Sequence, residues 1–330
     1  GRIEAEAYAD AGQSISVQQI IERSIRDLLA LQQDQRAREP VDTQAALAAF
    51  IEDLEARYEG RQATMRTGLA DLDELTAGGG RRGELWVIGA RPSMGKTALT
   101  LQLARSVGAE HHVLLLSLED SILSATGRMM AAAAGINLAD IRAPQCAPNS
   151  MWQHVTEGAA QLRQLKISLD DETGLSLADV RRKVLQVSRA RGACGMVIID
   201  YLQLMDDVAG DNRNQMLGAV ANGLKRLAKE LDCWVVLLSQ LNRRADERQG
   251  PPQIGDLRDS GDIEGAADVI ALLYREIMRK SAGGLHEDIK HWAQLHVAKQ
   301  KNGPTRTIDL YFDGALQRFG NWIGMAPRAA

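Results

Sequence analysis

The stretch Glu84–Val107, ELWVIGARPSMGKTALTLQLARSV, joins an apolar run, a loop that contains glycine and lysine, and a helical pattern. The apolar run predicts a buried strand, and the last part predicts a helix over 98–107. A loop between these two elements presents backbone N–H groups and a helix N-terminus, and both attract phosphate. The stretch therefore predicts a phosphate-binding loop over Gly89–Thr97, with Ala90 where the strict pattern has glycine.

This loop predicts ATP and Mg²⁺ as cofactors. Lys96 would neutralise the β- and γ-phosphates, and the hydroxyl of Thr97 would ligate Mg²⁺. The candidate nucleotide-binding residues are Ala90, Arg91, Pro92, Ser93, Met94, Gly95, Lys96, Thr97 and Ala98.

Further apolar runs alternate with helical patterns after the loop, which predicts an α/β fold. Continuous apolar strands that are joined by helices are typical of a mostly parallel sheet covered on both faces. The predicted strands are 84–90, 112–119, 165–171, 195–201, 233–240, 268–275, 292–299 and 306–312.

Polar residues lie at the ends of several predicted strands, and strand ends of this kind face the binding cleft. Glu119 could polarise an attacking water, Asp200 could hold Mg²⁺, and Gln240 could sense the γ-phosphate. On the residues alone, two other interpretations stay open. Glu119 could be a solvated residue at a helix start, and Asp200 could cap the next helix.

The last two predicted strands are joined by Asn302-Gly303-Pro304, which favours an antiparallel hairpin. Lys299 and Lys301 come just before this turn, and we expect both to face outward. Without further information, the residues favour a solvated hairpin tip.

The segment 241–261 carries arginines among glycines and prolines. It is either a solvated surface loop or a mobile loop whose cations meet the phosphate backbone of a nucleic acid. Arg243 and Arg244 are candidate DNA-binding residues for the second interpretation.

Composition limits the class of protein. The chain has 330 residues, a formal net charge of −4 and 3 cysteines. This charge argues against a generally basic nucleic-acid-binding coat but allows a local basic site. Widely spaced cysteines fit a reducing compartment, so we expect a cytoplasmic protein. The apolar runs are too short to cross a bilayer, and we expect no membrane association.

Two amphipathic helices are predicted before the α/β region, over 15–33 and 43–58. Asp42 or Thr43 would be the N-cap of the second helix. Such helices either pack on the main domain or dock on a neighbouring subunit, because an amphipathic pattern only indicates that one face is buried. The apolar face of the second helix would consist of Leu47, Phe50, Ile51 and Leu54.

The motifs of the α/β region, taken together, resemble the DnaB-type replicative DNA helicases, a family of RecA-like ATPases. The segments at 198–205, 237–244 and 256–275 are the most specific, and alanine at position 90 is also usual in this family. The resemblance is carried by TGLADLDELTAG (67–78), ARPSMGKT (90–97), LSLED (116–120), DDETGLSLADVRRK (170–183), IIDYLQLM (198–205), LLSQLNRR (237–244), DLRDSGDIEGAADVIALLYR (256–275) and KQKNGP (299–304).

The resemblance implies a twisted RecA-like sheet with flanking helices over 63–325, preceded by a short helical arm and linker helix over 1–62. It implies a homohexameric ring with ATP between neighbouring subunits and single-stranded DNA in the centre. The ring would move 5′ to 3′, and a helicase loader and primase would be partners. The residues before the ATPase part are too few for the family's whole helical collar.

The resemblance also assigns roles to single residues. By motif match, Glu119 is the catalytic carboxylate, and Arg128 corresponds to a family arginine near the catalytic centre. Arg258, Asp259 and Gly261 fall on the family's DNA-contacting loop.

For the hairpin, the resemblance implies that Lys299 and Lys301 contact the γ-phosphate bound to the adjacent subunit. A cation supplied in trans stabilises the charge that spreads over the transferring phosphoryl group. The family commonly has arginine at the second position, and lysine keeps the charge but lacks the planar fork of a guanidinium. Either hydrolysis is slower here, or Arg306 or another nearby cation compensates.

We therefore expect an ATP-driven, ring-shaped replicative helicase. A RecA-like recombinase or circadian-type ATPase would share the phosphate loop, Glu119 and Asp200, but it would not predict the motifs at 256–268 and 299–304. An ATP-binding protein that regulates a helicase without unwinding DNA is a second alternative. Lys301 and the short N-terminal part favour that alternative, whereas the complete set of catalytic residues counts against it.

Overall fold

The structure is a computed structural model that describes residues 40–59, 64–200, 213–242, 250–257, 260–278 and 289–327. Its contacts divide the chain into two compact units, Gly1–Ala63 and Thr64–Ala330. Strands and helices alternate through most of the second unit, as expected for an α/β fold.

Helices of the described residues follow the local sequence signals. Helix α7, for example, begins at a capping box in which Ser176 and Asp179 exchange side-chain and backbone hydrogen bonds. The helices α1 to α9 are Thr43–Tyr58, Ala70–Leu75, Lys96–Gly108, Ile122–Ala134, Leu138–Arg142, Met151–Leu162, Leu177–Arg191, Arg213–Glu230 and Ser260–Ala266.

The described strands form one nine-stranded sheet in the order β3-β2-β4-β5-β1-β6-β7-β8-β9. Strands β1 to β6 pair in parallel, and β7, β8 and β9 join the sheet by antiparallel pairing. This confirms the mostly parallel sheet and the hairpin. The strands β1 to β9 are Leu85–Ala90, His112–Ser117, Ile167–Asp170, Cys194–Asp200, Trp234–Gln240, Val269–Tyr274, Trp292–Gln300, Arg306–Asp313 and Arg318–Asn321.

Both faces of the sheet are covered, as the continuous apolar strands predict. Side chains alternate along β1, so that Trp86 and Ile88 join the core that contains α3. Leu85 and Val87 join the core on the other face, which contains residues of α7 and α8. A strand between two cores needs an apolar residue at every position, because successive residues face opposite sides.

Helix α1 has the predicted bounds. Asp42 is its N-cap and accepts a hydrogen bond from the backbone N–H of Ala45 at 2.7 Å. The predicted helix over 15–33 lies outside the described residues. The residues on the apolar face of α1 are each 46 to 56% exposed, and they are Leu47, Phe50, Ile51 and Leu54.

The cysteines are free, as expected from their spacing. Burial raises the pKa of the Cys194 thiol to about 11 and that of Cys233 to about 12, so both stay protonated at neutral pH. Among the described residues, no helix is both long and apolar enough to span a membrane.

Gly80 has no side chain, which leaves room for the buried ring of Trp234. A β-carbon at Gly80 would lie 2.2 Å from the ring of Trp234, which is fully buried and makes an edge contact with Trp86. We predict that Gly80→Ala lowers the free energy of unfolding by about 1–3 kcal/mol, because the ring must move in a dense core. Chemical denaturation measures this change.

Gly320→Ala is the matched control, since a β-carbon there meets no atom within 4 Å. Its unfolding midpoint should equal that of the unchanged chain or lie slightly above it. Equal midpoints for the two variants would contradict the packing argument.

Candidate active site

Parallel pairing brings the predicted site residues to one edge of the sheet. Ala90 at the end of β1 pairs with Gln240 at the end of β5, and Ser117 at the end of β2 pairs with Asp200 at the end of β4. The carboxyl ends of these strands therefore face the same cleft. Glu119 follows β2 by two residues and lines the same cavity.

The loop between β1 and α3 has the backbone geometry of a phosphate cradle. Gly95 has a φ of 98° and immediately precedes α3, so the first N–H groups of the helix point toward the loop. Behind Gly95 lie the rings of Phe312 and Phe319, each 3.2 Å from the place of a β-carbon. Glycine is therefore required at this position by both its φ and its neighbours.

A cavity of about 540 Å³ opens at this edge. The predicted nucleotide-binding residues line it with one exception, Met94, whose side chain is 8% exposed and lies in the core. The predicted residues that line the cavity are Ala90, Arg91, Pro92, Ser93, Gly95, Lys96, Thr97, Ala98, Glu119, Arg128 and Gln240.

Asp200 contacts Lys96 and Thr97, two residues that line the cavity. The hydroxyl of Thr97 donates to Oδ2 of Asp200 at 3.0 Å, and Nζ of Lys96 lies 3.4 Å from Oδ1. Asp200 is 2% exposed, and its Oδ1 makes no hydrogen bond within the described ranges. A buried carboxylate whose Oδ1 has an ion pair but no hydrogen bond, beside a threonine hydroxyl, fits Mg²⁺.

The metal would also need oxygen atoms from the nucleotide. Among the described residues, no group of three His, Cys, Asp or Glu side chains could hold a metal ion by itself. Mg²⁺ in nucleotide sites is usually held by one or two protein groups together with phosphate oxygens and water. The pair Thr97 and Asp200 fits that pattern.

Arg128 lies on α4 at the wall of the cavity. Its Nη1 donates to Oε1 of Gln317 at 2.8 Å, and its Nε lies 3.4 Å from Oδ2 of Asp120. These two contacts hold the guanidinium at the wall of the cavity, which the exposed Glu119 also lines. Asp120 and Gln317 were not predicted as site residues.

Sequence reasoning also missed Arg275 and Phe312. The guanidinium of Arg275 lies 4.5 Å from the centroid of the Phe312 ring, and both residues line the cavity. Burial lowers the pKa of Arg275, and its Nε is buried without an acceptor in the described part of the chain. Arg275 directly follows β6, so the rule that found Asp200 and Gln240 could have found it.

The hairpin lysines lie at the other edge of the sheet. Lys299 pairs with Ile270 and Gln300 with Val269, at the start of β6, whereas Leu273 near the end of β6 pairs with Ala90 of the phosphate loop. Val269, which pairs with Gln300, and Leu273, which pairs with Ala90, are four residues or about 13 Å apart along β6. Lys301 therefore lies far from the phosphate site of its own subunit.

The expectation that both lysines face outward was wrong for Lys299. It is half-buried, and its Nζ donates to the carbonyl oxygens of Glu264 and, at 2.9 Å, of Ala267. The register between β6 and β7 shifts at this point. Ile270 pairs with Lys299, whereas the next residue, Ala271, pairs with Val297. Such a bulge redirects side chains and turns Lys299 toward the end of α9. Lys301 is exposed.

Most of the predicted DNA-binding residues are not covered by the structure. Arg243, Arg244, Arg258 and Asp259 lie outside the described residues. Gly261 is exposed in the first turn of α9, and a β-carbon there would meet no atom within 4 Å.

A phosphate cradle between β1 and α3, an acid on β4 and an amide on β5 define a RecA-like ATPase. The family model of the DnaB-like helicase C-terminal domain matches residues 64–321. The chain therefore belongs to the DnaB-like helicase family, as its motifs predict.

Relatives agree with this assignment. The replicative DNA helicase DnaB of Haemophilus influenzae is 34% identical over 97% of this chain and 69% of its own length. DnaB of Geobacillus stearothermophilus is 34% identical over 80% of this chain and 58% of its own length. A solved DnaB-like replicative helicase, described with its interactions with primase, superposes with a TM-score of 0.80 at 28% identity. The match covers 98% of this chain and 75% of the solved chain.

The relatives that the chain matches are replicative DNA helicases. The chain spans little more than half of the Geobacillus stearothermophilus relative.

Gly95 and Ser93 give a matched pair of loop variants. Both have a positive φ, 98° at Gly95 and 66° at Ser93. We predict that Gly95→Ala weakens ATP binding by roughly tenfold or more. Alanine is strained at this positive φ, and its β-carbon would press against two phenylalanine rings. Titration with a fluorescent ATP analogue measures the affinity.

Ser93→Gly should keep the affinity and raise stability by about 1 kcal/mol, since glycine adopts this φ without strain. Weaker binding by Ser93→Gly, or unchanged binding by Gly95→Ala, would contradict the geometry proposed for the loop.

Proposed function

We propose that the chain is the ATP-driven motor of a replicative DNA helicase that moves 5′ to 3′ on single-stranded DNA and separates the duplex. The observation that carries the proposal is the contact of Asp200 with Lys96 and Thr97, which line the cavity. ATP is the proposed substrate, and Mg²⁺ is the proposed metal. A RecA-like recombinase would share this contact but not the family match.

In the proposed reaction, Lys96 leaves Asp200 to pair with the β- and γ-phosphates. The ion pair of 3.4 Å shows that the ammonium group already lies within reach of the cavity. Thr97 and Asp200 would hold Mg²⁺, which would supply positive charge against the negative charge that develops on the phosphates. Glu119 would orient and polarise the attacking water, and Gln240 would sense the γ-phosphate.

The nucleoside would lie on the other side of β1. Asp200 and Gln240 end β4 and β5, whereas Arg275 follows β6 and Phe312 lies on β8. The guanidinium of Arg275 lies over the Phe312 ring, and that buried ring also stacks on Phe319, so the arginine is the flat group that a nucleoside would meet. Arg275 is suited to contact a base, because a planar guanidinium stacks on flat aromatic rings.

Lys301 would act on the ATP of a neighbouring subunit. Its position at the opposite edge of the sheet supports this assignment. Along the strand direction, that edge is about 13 Å from the end of β1, where the phosphate loop of the same subunit begins. A site that takes a residue from the next copy requires head-to-tail contacts, and such contacts close into a ring when the rotation allows it. We propose a homohexamer for this ring.

The remaining partners are proposed by analogy with the family. Single-stranded DNA would contact the segment that ends in α9, including Arg243, Arg244, Arg258, Asp259 and Gly261. A solved relative is described with its interactions with primase, which supports primase as a partner. A helicase loader is the third proposed partner. The free cysteines support the proposed cytoplasmic location.

A forked duplex tests the motor activity. With ATP, Mg²⁺ and a 5′ single-stranded tail, the protein should separate the strands, and a fork with only a 3′ tail should stay paired. Lys96→Ala should reduce the rate by about 100-fold or more, because the phosphates lose their fixed cation. Release of a labelled strand measures unwinding. DNA binding that needs ATP but separates no strands would favour the regulatory alternative.

Mixed rings test whether Lys301 acts in trans. Lys301→Ala alone should lower DNA-stimulated ATP hydrolysis by about 100-fold or more, since its neighbours lose the hairpin cation. In an equal mixture with Lys96→Ala, about one interface in four combines an intact phosphate loop with an intact hairpin. Hydrolysis should therefore exceed the sum of the two separate proteins.

The control replaces Lys96→Ala in the mixture by the double variant Lys96→Ala/Lys301→Ala. This mixture has no intact hairpin and should not recover. Failure of the first mixture to recover would count against the trans arrangement.

A further inference from the structure

The segment Glu264–Asp268 comprises the end of α9 and the two residues before β6, and it contacts both lysines of the hairpin. The carbonyl oxygens of Glu264 and Ala267 accept hydrogen bonds from Nζ of Lys299. The next carbonyl in the chain, that of Asp268, accepts from the backbone N–H of Lys301 at 2.8 Å. The position of Lys301 is thus tied to the position of Asp268.

The side chain of Asp268 is itself firmly held. It is buried, and its Oδ2 accepts hydrogen bonds from the backbone N–H of Leu85 at 2.8 Å and from Nζ of Lys225 at 2.5 Å. Nζ of Lys225 also donates to the carbonyl of Gly83 at 2.8 Å. Asp268 returns a backbone hydrogen bond to the carbonyl of Leu85 at 2.8 Å. Strand β1 and helix α8 therefore fix Asp268 from two sides.

This network lies at the edge of the sheet away from the chain's own phosphate loop. Leu85 is the first residue of β1, and the loop follows Ala90 at the last. A buried carboxylate keeps its charge at a cost unless it is paired and hydrogen-bonded, and Asp268 meets both conditions. The charge pair gives the base of the hairpin one defined position, where neutral side chains would allow several.

We propose that Asp268, held by Lys225, is a positioning residue for the trans-acting lysine Lys301. The proposal rests on the proposed function, in which Lys301 acts on ATP bound to the next subunit. Asp268 touches no substrate. It acts through its backbone carbonyl, which holds the N–H of Lys301, and through its carboxylate, which keeps that carbonyl in place.

Asp268→Asn separates the two parts of this role. Asparagine can still accept a hydrogen bond from Leu85, but it loses the charge that holds Lys225. A displacement of about 1 Å at a reacting group can lower the rate by up to about 100-fold, and we expect kcat to fall by roughly 10- to 100-fold. ATP affinity should change less than about twofold, because the phosphate loop of the same subunit is untouched.

Lys225→Met is the second variant, because it leaves Asp268 and its contact with Leu85 in the chain. It should show the same fall in kcat at unchanged affinity. Lys229→Met is the matched control on the same helix. Lys229 is exposed and forms no ion pair or hydrogen bond that the structure describes, so its variant should hydrolyse ATP at the normal rate.

Mixed rings distinguish positioning of a trans-acting group from damage to the subunit itself. Asp268→Asn has an intact phosphate loop, and Lys96→Ala has an intact hairpin. An equal mixture should recover hydrolysis at about one interface in four, as for Lys301→Ala. A variant that failed to fold, or that damaged its own ATP site, would not be rescued in this way.

Two results would overturn the proposal. One is normal hydrolysis by both Asp268→Asn and Lys225→Met. The other is low hydrolysis that Lys96→Ala does not rescue, in an experiment where it does rescue Lys301→Ala. If Lys301→Ala itself is not rescued, the trans arrangement of the proposed function fails instead.

Discussion

Parallel, in-register pairing of the central strands is the constraint on which the site depends. Because Ala90 pairs with Gln240 and Ser117 with Asp200, the loop, the acid and the amide reach the cleft at one level. A shift of one residue would turn every side chain of a strand to the opposite face. The continuous apolar sequence tolerates burial on both faces, and the polar strand ends then have one common edge to occupy.

Sequence reasoning predicted this part well, for a physical reason. A buried parallel strand needs an apolar run, and a polar residue at its end is visible without any knowledge of distant contacts. Asp200 and Gln240 were found in this way, whereas Lys96 and Thr97 were found from the loop motif between a strand and a helix. Gln240, Lys96 and Thr97 line one cavity, and Asp200 contacts the last two. Arg275 follows the same rule at the end of β6 and could have been found.

The remaining site residues depend on contacts between distant segments. Phe312 lies behind Gly95 and Gln317 binds Arg128 only because β8 and β9 fold back toward α3 and α4. Lys299 shows a different limit. Its inward orientation results from a register shift between β6 and β7, and an alternating sequence does not reveal a bulge. A pattern predicts which residues form a strand more reliably than where one side chain of that strand points.

The separation of the phosphate loop and the hairpin tip onto opposite sheet edges has a consequence for stoichiometry. Under the proposed arrangement, a closed ring has as many complete ATP sites as subunits, whereas a ring with one gap has one site fewer. The subunit at one side of the gap then has a phosphate loop without a partner, and the subunit at the other side has an unused hairpin. Opening the ring would therefore silence a single, defined site and leave the others complete.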